Sequence, residues 1–108
     1  MNNPFYTKSI DVYQYGKHKN EYNETVKGYT KVLENIECDV QPYSAEKLEK
    51  QYGYKVECTK RIFCDIYDEI QESNIIVYRN KTYKVQKIIE WDDYLELMIL
   101  EFEVNLNG

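Results

Sequence analysis

Residues Tyr54 to Cys64, YKVECTKRIFC, alternate apolar and polar side chains: Tyr54, Val56, Cys58, Ile62 and Cys64 against Lys55, Glu57, Thr59 and Arg61. A strand sends successive side chains to opposite faces, so a period of two over this length predicts a strand with one face buried. Val32, Ile36, Cys38 and Val40 repeat the pattern, opposed by Lys31, Asn35, Glu37 and Asp39. A shorter strand is expected around Ile10 and Val12.

The last third of the chain reads as a meander. NIIVYRNKTYKVQKIIEW holds two strands, with a tight turn expected at Asn80-Lys81 because Asn tolerates the left-handed conformation of short hairpins. Asp92 and Asp93 mark the next turn, and YLELMILEFEV follows as the final strand. Leu95, Leu97 and Ile99 share one face of it, Met98, Leu100, Phe102 and Val104 the other, so it is expected to be covered on both sides. The fold class is mainly β: a small antiparallel barrel or sandwich with one short helical insert and long loops, residues 1–108 forming a single domain.

The helical insert is DVQPYSAEKLEKQYGY, Asp39 to Tyr54. Pro42 has no amide hydrogen and cannot continue a central ladder. Ser44 is a good helix cap, AEKLEKQ is built of helix formers, and Gly53 is a suitable stop. Tyr43 and Leu48 sit at the two positions of a hydrophobic staple, while Ala45, Leu48 and Tyr52 fall on one stripe. Two turns of helix need a surface to lie on. The residues alone do not separate a connector capping one barrel end from a projecting element that meets a partner.

Gly16 to Gly28, GKHKNEYNETVKG, shows no apolar periodicity and reads as an exposed loop with strand character returning near its end. Its Lys17, His18, Lys19 and Tyr22 are candidates for a partner contact, against the plainer reading of a solvated loop.

The net charge of −5 is unevenly placed: residues 1–64 carry ten bases and nine acids, residues 65–108 four bases and ten acids. A nucleic-acid binder would carry a basic surplus on at least one element, and a mainly acidic surface repels phosphate. Twelve tyrosines, against three phenylalanines and one tryptophan, suit half-buried strands and protein contacts. Cys38, Cys58 and Cys64 lack CxxC spacing, and MNNPFYTK has no apolar leader segment. The thiols therefore read as small core residues in a reducing compartment, ahead of a zinc site with His18, and no membrane association is expected.

No catalytic constellation emerges. His18 lacks a nucleophile motif, the four glycines are isolated, and Asp92-Asp93 marks a turn, so the expectation is no enzyme, no metal and no cofactor.

DVQPYSAEKLEKQYGYKV, RIFCDIYDEI and IIVYRNKTYKVQKIIEWDDYLELMIL together resemble the head-tail joining proteins of tailed bacteriophages, most nearly the head-closure or stopper proteins. The resemblance runs from about Val32 to Phe102: a QP ending a strand, a polar helix-forming insert, a glycine-led return strand, a basic hairpin and a WDD corner. It implies a small β-barrel whose copies form a ring, a dodecamer in the virion, beneath the portal and adaptor proteins and above tail-completion proteins. It also implies assembly in the bacterial cytoplasm and only transient, non-specific proximity to packaged DNA. The segment after QP would face the axial channel, which maps onto Pro42, Tyr43, Ser44, Glu46, Lys47, Glu49, Lys50 and Gln51. The alternative is a small oligonucleotide-binding barrel for single strands, which would need a basic, aromatic-lined sheet face.

Overall fold

Six strands close on themselves in a computed structural model that describes residues 3–106. In chain order they are β1 (Lys8–Lys19), β2 (Thr25–Pro42), β3 (Lys60–Cys64), β4 (Ile75–Tyr78), β5 (Lys81–Glu90) and β6 (Leu95–Glu101), with one helix, α1 (Ala45–Tyr52), between β2 and β3. The order around the barrel is β1-β2-β3-β6-β5-β4, and every neighbouring pair is antiparallel.

The inward positions carry the apolar set that the alternation picked out. Ile10, Val12, Ile36, Cys38, Ile62, Cys64, Leu95, Leu97 and Ile99 meet Ile76, Tyr78, Tyr83 and Val85 in one buried cluster, with Ile70 added from a connection. In a barrel of so few strands the side chains fill the interior, so the domain encloses a core and no pore. All three cysteines are buried and free.

β6 lies between β3 and β5 and has apolar residues on both faces, as expected of a covered strand. Leu97 and Ile99 point into the barrel, while Met98 points outward into a second cluster with Tyr43, Leu48 and Cys58. The strand ends at Glu101, short of Phe102 and Val104.

Four local expectations need correction. The strand predicted over Tyr54–Cys64 is hydrogen-bonded as a strand only from Lys60; Tyr54 is exposed, and residues 55–58 alternate in burial but pair with no strand. The alternation read from Val32 to Val40 changes register part-way. Ile10 pairs with Ile36, but Val12 pairs with Leu33 and Tyr13 with Lys31, so β2 gains a residue at each step. This is a bulged strand, and Asn35 takes the left-handed conformation there (φ 52°), its N–H donating to Asp11 Oδ1 at 2.9 Å.

The third correction is the hairpin between β4 and β5, which turns at Arg79-Asn80, one residue before the expected place. Both have positive φ (50° and 63°), the signature of a two-residue type I′ turn. The largest correction concerns Gly16–Gly28. Instead of a loop, β1 runs on to Lys19 and β2 begins at Thr25, paired residue by residue from Lys19↔Thr25 to Tyr13↔Lys31.

These residues form a ribbon, or arm, beyond the barrel. β4 leaves β1 at Tyr13, and β3 joins β2 only from Cys38, so residues 14–30 have no third strand. The arm adds roughly 20 Å at the usual strand rise, consistent with a long dimension of 49 Å.

Candidate functional site

Two surfaces stand out from the barrel: the helical insert and the arm. The insert begins where Pro42 closes β2 opposite Lys60. Ser44 caps α1 in an extended conformation (φ −122°, ψ 156°), its Oγ accepting from the Lys47 N–H at 3.2 Å. Gly53 ends it in the left-handed region (φ 78°), its N–H donating to the Glu49 carbonyl at 2.8 Å.

The staple forms as the sequence predicts. Tyr43 and Leu48 both enter the second cluster with Cys58 and Met98, and Tyr52, Val56 and Ile89 pack against it. Leu48 is fully buried. The helix therefore lies on the outer face of β5 and β6, opposite the barrel core.

A polar hub sits beside this cluster. Glu96, on the same face of β6 as Met98, is only 1 % exposed. Its Oε1 accepts from the Tyr52 hydroxyl and from Trp91 Nε1, each at 3.1 Å, and its Oε2 accepts from Arg61 Nη1 at 3.3 Å. Arg61 Nε donates to Gln41 Oε1 at 3.0 Å, and the guanidinium lies 4.3 Å over the Tyr43 ring. A buried carboxylate is tolerated only when its lone pairs are used, and here three donors use them. Burial first, then the Glu96 charge, pushes the Tyr52 hydroxyl pKa up.

The residues assigned to a channel-facing segment separate into two groups. Pro42, Glu46, Lys47, Glu49, Lys50 and Gln51 are exposed and Ser44 partly so. Lys50 pairs with Glu46 at 3.2 Å, one helical turn apart. Tyr43 stands apart: it is buried between helix and sheet, and its hydroxyl donates to Gln51 Oε1. Sequence reading passed over Glu96 and its partners, because one carboxylate in an apolar strand gives no sign of which donors will converge on it.

On the arm, Lys17, Lys19 and Tyr22 are exposed, Tyr22 to 75 % at the tip. His18 is half-buried, and not the surface side chain expected of a loop. Its Nδ1 is buried without a hydrogen-bond partner, and its ring lies across Gly28, where an added Cβ would come 3.4 Å from Cε1. The tip is organised by Asn20, whose Oδ1 accepts from the N–H groups of Tyr22 and Glu24, both at 2.9 Å. The pairing puts Tyr13/Lys31, Tyr15/Tyr29, Lys17/Lys27 and Lys19/Thr25 on the outer face of the arm. Among the described residues no group of three or more His, Cys, Asp or Glu side chains converges as metal ligands, and no helix is long and apolar enough to cross a membrane.

The barrel with its single helix is found in solved structures of remote sequence. Protein SF1141 from Shigella flexneri 2a, known from its solution structure, superimposes with a TM-score of 0.68 at 14 % identity, covering 94 % of this chain and 96 % of that one. The protein xkdH of the phage-like element PBSX from Bacillus subtilis gives a TM-score of 0.55 at 11 % identity, with 87 % and 92 % covered. Both likenesses define the fold. No curated protein matches the sequence. Residues 1–104 match the phage head completion protein family, and the chain belongs to that family. Membership makes it a structural protein of a phage particle with a role in completing the head, in contact with other head and tail proteins.

Proposed function

We propose that the chain closes the filled phage head as a ring, a dodecamer in the virion. The ring sits under the portal and its adaptor, retains packaged DNA and offers the docking surface for tail-completion proteins. One observation carries this reading. The barrel interior is full, so a passage for DNA lies between copies, and α1 is a short element that each copy holds on the outside of its barrel. Its exposed side chains, Glu46, Lys47, Glu49, Lys50 and Gln51 with Pro42 and Ser44 at the start, are hydrophilic and suit a wet bore. Tyr43 and Leu48 anchor the segment beneath them. Small clusters of this kind release at lower free energy than a barrel core, which suits a gate that moves when the tail docks. The arm, with Lys17, His18, Lys19 and Tyr22, contacts a neighbouring chain in the joint. The acidic balance of residues 65–108 keeps DNA sliding past without sticking.

Imaging the assembled head-tail junction at side-chain resolution tests this. The expected result is a ring of copies between portal complex and tail, with α1 turned toward the axis. Copies lying off the axis, or α1 facing outward, would overturn it.

A further inference from the structure

Lys17 and Lys27 are direct cross-strand partners on the outer face of the arm, and both are exposed. Like charges set opposite one another destabilise a strand pair. Among the described residues neither lysine makes an ion pair, whereas Lys31 at the base of the same face holds Glu34 and Asp11. Beside them Tyr15 and Tyr29 pack edge to face with centroids 5.0 Å apart, and Tyr15 stays 57 % exposed. A two-stranded ribbon is marginal in water by itself. The arm thus combines an unfavourable charge pair, an uncovered ring and little stability of its own. A partner surface of opposite charge relieves all three.

That opposite charge lies at the same end of the barrel. The connection 65–74 leaves β3 at Cys64 and ends at Ile75, which pairs with Tyr13 at the base of the arm. It carries Asp65, Asp68 and Glu69 around Tyr67, with Ile66 40 % exposed. Burial first, then the Asp65 charge, pushes the Tyr67 hydroxyl pKa up. None of Glu37, Asp65, Asp68 and Glu69 makes an ion pair among the described residues.

We propose that the arm of one copy docks on the 65–74 connection of the next, with Lys17 and Lys27 against Asp68 and Glu69 and with Tyr15 against Ile66. The proposal rests on the ring reading above and names the contact that builds the ring. Two different patches joined head to tail make a heterologous contact, which closes when the rotation between copies allows. In a cyclic ring all copies point the same way, so patches at one end of the barrel meet between lateral neighbours. Patches at opposite ends would stack copies into a filament. A phosphate backbone is the poorer occupant, because Glu21 and Glu24 sit at the arm tip and the acidic connection flanks its base.

The test uses extracts of infected cells that lack this chain, to which purified full-length protein is added and joined particles are counted. An arm variant (Lys17→Glu with Lys27→Glu) and a connection variant (Asp68→Lys with Glu69→Lys) are added separately and as an equal mixture. Circular dichroism first confirms that both fold. Each variant alone is expected to lose at least ten-fold in joining, since its own arm and connection now repel. The mixture is expected to recover, because an alternating ring makes every junction complementary. An arm variant as active as the wild type overturns the proposal. So does a mixture no better than either variant, which would point to nucleic acid or another protein as the occupant of the arm. If the wild-type protein itself restores no joining, the ring reading fails together with this one.

Discussion

The Tyr52 hydroxyl donates to Glu96 Oε1 at 3.1 Å, joining the last residue of α1 to the start of β6 across 44 positions of sequence. The same carboxylate holds Trp91 and Arg61, so one buried charge ties the insert, the WDD corner and β3 to a single point. A buried ion pair contributes less to net stability than to fixing one arrangement, and here the arrangement fixed is the seat of the helix.

Removing the acceptor should therefore cost more than removing one donor. Glu96→Ala leaves Arg61 without its carboxylate and is expected to destabilise by about 3 kcal/mol. Tyr52→Phe gives up one hydrogen bond to a charged group, about 1.5 kcal/mol. Chemical denaturation measures both, and the double variant should cost less than the sum because the two share one interaction.

Leu48 is the apolar counterpart of that hub. Leu48→Ala empties a fully buried site and is expected to cost about 3 kcal/mol. An eight-residue helix has no stability of its own, so the loss should appear as local undocking. Trypsin should then cut at Lys47 and Lys50 well before the barrel strands, and slower than unfolding in the wild type.

The thiols give the pH dependence its direction. Burial pushes Cys38 and Cys64 from the ordinary 9.0 up to about 12. Above pH 9 the unfolded chain loses these protons while the folded chain keeps them, so stability is fully present below pH 9 and falls as pH rises toward 12. Tyr43, Tyr52, Tyr67 and Tyr83 are raised by burial as well and act in the same direction. Denaturation midpoints across pH 8 to 11 should fall steadily, and both thiols should stay unreactive to a thiol reagent until the chain unfolds.

The barrel was legible in the sequence because its strands have one dry face: alternation at Ile62 and Cys64, and at Leu95, Leu97 and Ile99, follows from what must be buried. The insert was legible for a different reason, since Ser44, Leu48 and Gly53 are local signals that need no tertiary context. The arm was not. Tyr13, Tyr15, Lys17 and Lys19 alternate with Gln14, Gly16 and His18, but the ribbon stands outside the core, so the alternation carries no apolar face to detect. Hidden too was the convergence of Tyr52, Arg61 and Trp91 on Glu96, which depends on strand order and on where the helix lands. The bulge at Asn35 belongs with these, because the Asp11 that holds it is a neighbour only after β1 and β2 pair.

Head completion by this chain is tested most directly by deleting its gene in the parent phage and counting DNA-filled heads joined to tails. Without it, joined particles are expected to vanish, tails to accumulate free and heads to lose their DNA, all reversed when the chain is supplied in trans. Filled, tailed particles at the parental number would contradict it.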